Sequence, residues 1–330
     1  MVRQFLVVGA LLCLAPSLPA QDVLSAVAPQ VLQPAEEIFT AHRDAVVRVV
    51  CLHRREDGSG GARTGSGFFL DAAGHVATTA GAIEGAEEIW IEFGPHSIRA
   101  GVVGVDLRTN VAVLAPVEES PPQPCFSLGD GTVMPKTLTP LLAIACEIGL
   151  DPSPAIGIAL AEQICHGNHC FATTHLRSSL PSNAGAPGSP VFDLQGNFVG
   201  MLMASIPQID GSFLLPARAI RRVVQDLLRH GEVRYAYVGL DTCLERDGDG
   251  QFAVLVRDVI PNSPAAEANL LAEDRILAIN DMPIRGPADL RNAIFFAPPE
   301  SPIAITVRRG SDIFRLFVRT IGCRPGEEVR

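Results

Sequence analysis

Apolar residues fall along this chain in short runs, and the runs follow two periods. Ala45 to Val50 is apolar except for Arg48 and rich in valine, which predicts a first strand. Gly65 to Asp71 and Gly74 to Thr79 read as a strand–turn–strand unit, preceded by a Gly-rich loop over Glu56–Thr64. Strands are also predicted at Glu88–Phe93, Arg99–Val105, Ala253–Val256, Ile303–Val307 and Phe314–Val318. The helical period is clearest over Arg218–Arg229, where Ile220, Val223, Val224, Leu227 and Leu228 share one face. That face is read as core packing. Ala35–Arg43 reads as a short helix. Residues 21–34, polar and punctuated by proline, read as a flexible lead-in.

Length and composition narrow the class. A chain of 330 residues with 47% hydrophobic content supports two packed cores. Residues 1–20 carry the features of a secretory signal peptide: Arg3, an apolar core from Phe5 to Leu14, and Leu18-Pro19-Ala20 before the cut. Leu12 before Cys13 is not the small residue a lipoprotein signal uses. The chain is therefore expected to be exported, to a periplasm or the extracellular space. Its formal charge of −10 argues against a nucleic-acid partner. Cleavage would remove one of eight cysteines and leave an odd number in an oxidising compartment. Cys165 and Cys170 enclose His166-Gly167-Asn168-His169, which fits a disulfide across a hairpin loop. Two cysteines and two histidines could in principle hold a metal, but this spacing is tight for one tetrahedral ion, and no metal or cofactor is expected. Asp247-Gly248-Asp249-Gly250 lacks the further ligands of a calcium loop and reads as a hairpin turn.

Several motifs then occur in a fixed order. They are Gly65-Ser66-Gly67-Phe68-Phe69-Leu70-Asp71, Asp106-Leu107-Arg108-Thr109-Asn110 with Val111-Ala112-Val113-Leu114, Gly185 to Pro190, and Gly196-Asn197-Phe198-Val199-Gly200. Tyr237-Val238-Gly239-Leu240, Ser263-Pro264-Ala265-Ala266 and Asp274-Arg275-Ile276 follow. Together, over roughly Ala35 to Ile321, they resemble the HtrA family of trypsin-fold proteases with a C-terminal PDZ domain. The resemblance implies a mainly β protein. A trypsin-like double β-barrel at 35–230 would be followed by a linker at 231–235. A PDZ domain, sandwich-like with two helices, would occupy 236–322, and a tail 323–330.

The same comparison of residues places inert side chains where the family keeps its chemistry. Gly81 stands at the position of the general-base histidine, Asn110 at that of the orienting aspartate, and Pro187 at that of the nucleophilic serine. Proline has no hydroxyl and no backbone N–H; in this fold the nucleophile's N–H is one of two oxyanion-hole donors. An amide at 110 carries no charge to stabilise an imidazolium. Ser189 is a weak substitute because a nucleophile needs a base in reach. His75 and His175 do not occupy the base position, and Lys136 is the only lysine. Catalytic residues are therefore expected to be absent.

What the resemblance leaves is binding. A PDZ groove takes an extended peptide as an added strand. Tyr237, Val238, Gly239 and Leu240 would form its carboxylate loop, Leu240 to Leu244 the receiving edge, and Leu290 and Ile294 the pocket, on a groove helix over Pro287–Phe296. The expectation is a non-enzymatic scaffold, adaptor or regulator that binds peptide C-termini or unfolded proteins, or an active HtrA relative, and that can form a homo-oligomer. A serine endopeptidase rearranged around Ser189 and a structural oligomer subunit are the competing readings.

Overall fold

The structure is a computed structural model and describes residues 20–54, 60–131, 134–166, 169–181, 183–206, 211–246 and 252–323. The signal peptide expected at 1–20, apart from its last residue, the hairpin turn expected at 247–250 and the tail expected at 323–330, apart from Cys323, lie outside the described residues.

The chain enters through helix α1 (Ala20–His42), followed by a short 3-10 turn at Arg43–Ala45. Residues 21–34, expected to be a flexible lead-in, thus lie inside a helix that starts well before Ala35. Among its described side chains, Val31, Pro34, Ala35, Ile38, Phe39 and His42 are the covered positions. Their spacing is that of one helical face. The prolines that read as breaks are accommodated because burial of that face outweighs their weak propensity.

Six strands close the first barrel: β1 (Val46–Arg54), β2 (Gly60–Phe69), β3 (Val76–Thr79), β4 (Glu88–Phe93), β5 (His96–Asp106) and β6 (Val111–Pro116), in the order β1-β2-β3-β6-β5-β4. A short helix, α2 (Ala80–Ile83), leaves β3. The period of two is plain in β1: Val47, Val49 and Cys51 fill the barrel interior, while Val46 packs on the other side with Phe68. Part of the expected Gly-rich loop is strand, since Gly60 to Thr64 pair with Arg54 to Val50. Glycines weaken a strand on their own; here the partner strand supplies the ladder.

The second barrel repeats the plan with β7 (Pro140–Ala145), β8 (Ser153–His166), β9 (His169–Ser178), β10 (Pro190–Asp193), β11 (Phe198–Ile206) and β12 (Gly211–Pro216), ordered β10-β11-β12-β9-β8-β7. Helix α3 (Ala217–His230) lays Ile220, Val223, Val224 and Leu227 into the seam between the barrels, beside Phe192, Met201 and Leu215.

The C-terminal domain begins one residue earlier than the resemblance implied. Tyr235, assigned to a linker, opens β13 (Tyr235–Tyr237), which pairs with β20 (Ile321–Cys323). Cys323, assigned to the tail, closes that pair. Between them lie β14 (Leu240–Arg246), β15 (Phe252–Val259), α4 (Pro264–Glu267), β16 (Arg275–Ile279), β17 (Met282–Pro283), α5 (Pro287–Phe295), β18 (Pro302–Arg309) and β19 (Asp312–Arg319). The main sheet runs β14-β15-β16-β18-β19 around Val254, Val256, Ile276, Ile303, Ile305 and Val318.

The two parts are joined by specific contacts. Tyr235 donates its hydroxyl to the buried carboxylate of Asp106 on β5. Asn292 of α5 accepts from Thr173 Oγ1 at 2.7 Å and Thr174 N at 2.9 Å, and donates to Thr174 Oγ1 at 2.8 Å. Arg291 Nη1 donates to the Phe171 carbonyl at 2.7 Å.

Candidate functional site

Three segments far apart in sequence meet between the barrels. Gly81 is on α2, Asn110 is on the turn between β5 and β6 with φ of 58°, and Pro187 is in the loop before β10. Gly81 N donates to Asn110 Oδ1 at 2.8 Å, and Ala80 N to the Asn110 carbonyl at 3.0 Å. A Cβ added at Gly81 would lie 3.5 Å from Asn110 Oδ1. Gly81, Asn110 and Pro187 line one open cavity together with Thr79, Asn183, Gly185 and Met203.

The loop from Gly185 to Pro190 is held by its own backbone. Ala186 N donates to Asn183 O at 3.0 Å, Gly188 N to Leu202 O at 2.7 Å and Ser189 N to Ala186 O at 3.1 Å. Position 188 admits only glycine: its φ is 97°, and a Cβ there would sit 1.9 Å from the Ser66 carbonyl oxygen. Ser66, on β2, braces the same loop. Its Oγ donates to Gly185 O at 2.7 Å and accepts from Cys146 N at 2.8 Å, and its N donates to Pro187 O at 3.1 Å. Sequence reasoning missed this strut. The signal was present in the Gly65-Ser66-Gly67 triplet, where a small hydroxyl between two glycines marks a close backbone approach.

The cavity offers little chemistry. Among the described residues lining it there is no histidine, serine, cysteine or carboxylate. Ser189 is fully buried, and its hydroxyl donates to Ala186 O at 2.6 Å. His75 is bound to Asp71 at 2.8 Å on the first-barrel hairpin. His175 is buried, lies 3.0 Å from the Thr173 carbonyl through Nδ1, and stacks on Phe171 with ring centres 4.1 Å apart. It lines a second, neighbouring cavity with Phe171, Phe213 and Arg108, which shares Asn110 and Met203 with the first. Position 187 offers no amide to a developing oxyanion, and the amides of 186, 188 and 189 are already donated within the chain.

Two buried thiols lie nearby. Burial pushes the Cys51 thiol up to about 11, with Arg63 pulling the other way. Burial likewise pushes Cys146 up to about 12. Both are structural rather than nucleophilic, since the thiolate is the reactive form. Cys165 and Cys170 are bonded across the tip of the β8–β9 hairpin. Among the described residues no group of three His, Cys, Asp or Glu side chains is placed to hold a metal ion.

In the C-terminal domain, β14 lies at the end of its sheet: among the described residues it is hydrogen-bonded to β15 alone and leaves its other edge free. Gly239, before this edge, has φ of 85°, and a Cβ there would lie 2.2 Å from the Ser263 side chain. Its carbonyl accepts from Ile260 N at 3.0 Å, and that of Val238 from Ala265 N at 2.9 Å, which fixes the loop. Leu240, Leu290 and Ile294 are all half-buried against one core. Leu290 and Ile294, four apart on α5, share a helix face. Val238 is itself core, and Tyr237 packs instead with the cluster between the barrels. The structure therefore groups Leu240, Leu290 and Ile294 and sets Tyr237 apart from them.

Comparison with known proteins agrees with this architecture. The trypsin-like peptidase domain family matches residues 65–201, and the PDZ domain family residues 235–319. A protein of Synechocystis sp., whose name is "Putative serine protease HhoB", is 28% identical over 279 residues, covering 78% of this chain and 66% of that protein. A protein of Pseudomonas savastanoi pv. phaseolicola, named a probable periplasmic serine endoprotease DegP-like, is 29% identical over 275 residues, covering 80% of this chain and 56% of its own length. The chain thus spans between half and two thirds of such relatives. In fold it is similar to the solved HtrA-type protease AlgW with tripeptide, with a TM-score of 0.74 at 21% identity, covering 88% of this chain and 98% of that one.

Proposed function

We propose that this chain, which belongs to the HtrA family of trypsin-fold proteins with a PDZ domain, is an exported pseudoprotease that binds peptides without cleaving them. The observation that carries the reading is the cavity shared by Gly81, Asn110 and Pro187, whose described lining holds no histidine, serine, cysteine or carboxylate. The relatives are named as proteases, so the chemistry has been lost on a retained scaffold, and fold alone does not assign activity. Ser189 gives no support to a rearranged catalytic centre, because its hydroxyl is buried and already donated.

Binding falls to the C-terminal domain. The free edge of β14 offers backbone groups to an added strand, and Leu240, Leu290 and Ile294 offer an apolar seat for a terminal side chain. Peptide C-termini or exposed segments of unfolded chains are the ligands this geometry fits. The role is that of scaffold, adaptor or regulator, in a periplasm or outside the cell. The relatives' names point to that compartment.

A C-terminal peptide library screened against the purified chain, with casein turnover and fluorophosphonate labelling in parallel, tests the reading. Apolar C-termini should bind, Ile294→Asp should abolish binding, and neither turnover nor labelling should appear. Labelling that disappears in Ser189→Ala would defeat the pseudoprotease reading. Absence of any peptide binding would favour a purely structural subunit.

A further inference from the structure

A second pair of cavities lies at the boundary of the two domains, away from both sites above. One, walled by both domains, has a volume of about 310 Å³, at the small end of ligand pockets. Its walls come from both domains: Met134, Pro216 and Ala219 on one side, Ile284, Ala293 and Phe296 on the other. Among the described residues lining it, Glu162 and Asp289 are acidic and Arg218 is basic. Arg218, Phe296, Ala297 and Pro298 also border the neighbouring cleft, which Arg221, Arg222 and Gln225 of α3 line together with Asp130 and Asp226.

Arg218 and Arg221 are exposed at the cleft, whereas Arg222 is partly buried, donates from Nη2 to the Arg234 carbonyl at 3.1 Å and feels the carboxylates of Asp226 and Asp106. The guanidinium of Arg218 lies 4.0 Å from the centre of the Phe296 ring, and that of Arg222 lies 4.6 Å from Phe295 and 5.1 Å from Tyr235. Arg221 Nη1 donates to the Gly129 carbonyl at 3.1 Å. Among the described residues none of the three forms an ion pair. Arg222 Nη1 is buried without a hydrogen-bond partner. Aromatic faces hold such cations in place but leave their outward N–H groups free for an anion, which guanidinium recognises by paired charge-assisted hydrogen bonds.

We propose that this boundary binds an anionic amphiphile: an acyl or alkyl chain in the apolar cavity, with a carboxylate or phosphate head on Arg218 and Arg221. In the inner cavity Glu162 and Asp289 outnumber Arg218, whereas in the cleft Arg218, Arg221 and Arg222 outnumber Asp130 and Asp226, so the head sits on the cleft side and the molecule has one orientation. Because both domains line the cavity, an occupant adds contacts between them and steadies α5 from a face other than the one carrying Leu290 and Ile294.

Calorimetric titration of the full chain with sodium decanoate, monodecyl phosphate, 1-decanol and inorganic phosphate tests this. Saturable one-to-one binding is expected for decanoate, decyl phosphate or both, with decanol and phosphate each about tenfold weaker or worse. Decanoate alone would identify fatty acids as the source of the ligand, decyl phosphate alone phosphate-headed lipids. Arg221→Gln, an exposed change, and Arg218→Gln should each lower affinity for the anion about tenfold and leave decanol unchanged. Ala293→Trp, which fills the cavity, should remove binding of all the chained ligands. Decanol binding as tightly as decanoate, inorganic phosphate binding as tightly as decyl phosphate, unchanged affinity in both arginine variants, or no saturable binding would each overturn the proposal. Circular dichroism of each variant separates loss of the site from loss of fold.

Discussion

Rebuilding the family's triad on this scaffold measures what its replacements removed. Pro187→Ser supplies a hydroxyl and restores one backbone N–H. That donor alone is worth about 2.7–4 kcal/mol of transition-state stabilisation, or roughly a hundredfold to a thousandfold in rate. Without a base the hydroxyl stays a poor nucleophile, so the single variant should neither label with a fluorophosphonate nor digest casein. Gly81→His is sterically open: apart from Asn110 Oδ1 at 3.5 Å, no non-neighbouring atom lies within 4 Å of its added Cβ. Asn110→Asp, at that oxygen, supplies the charge that stabilises an imidazolium. The triple variant should label at residue 187 and turn over casein at least roughly a thousandfold faster than a matched chain carrying Pro187→Ala with the same two partners. That control has the N–H but no hydroxyl. A folded triple variant that stays inert, or a natural chain that digests casein as fast as the triple, would show that these three positions are not where activity was lost.

Three further outcomes follow from other parts of the molecule. The Cys51 and Cys146 thiols ordinarily titrate near 9.0 but near 11 and 12 when folded; the unfolded chain therefore releases protons first. Their contribution should be complete below pH 9 and decline above it by about 1.4 kcal/mol per pH unit per thiol, until the folded values are reached; urea midpoints at pH 8 and pH 10 check the slope. Asn292→Ala removes three hydrogen bonds between α5 and β9 and should destabilise the domain contact by about 1–3 kcal/mol, read as faster proteolysis between the domains. Asp274→Ala strands the Leu271 N–H and unpairs Arg309 from a fully buried carboxylate. It should destabilise the C-terminal domain by about 3 kcal/mol in chemical denaturation, near the low end for a broken buried pair because the arginine is one third exposed.

Local patterning made several elements legible. The valine-rich β1 and the apolar stripe of α3 were readable because burial on one face imposes a period that survives in the residue order. Elements stabilised by distant partners were not. Gly60 to Thr64 looked like loop because glycine has no strand preference, and only pairing with β1 makes it strand. Tyr235 looked like linker because its partner, Cys323, lies at the far end of the domain. Helix α1 reads short in the sequence because Pro29 and Pro34 interrupt its pattern, whereas the packing of Ala35 and Ile38 that sustains it exists only in the fold.

The residue order by itself determined which groups this protein owns. It carries no hydroxyl and no N–H at position 187, no imidazole at 81 and no carboxylate at 110, and these are facts of covalent chemistry that no folding can alter. Only the tertiary structure decided that the three positions face one cavity, that the remaining serine of the loop is buried against Ala186, and that β14 keeps an open edge. The reason is physical: composition is local, whereas proximity between residues distant in sequence exists only after barrels and sheet have closed around their cores.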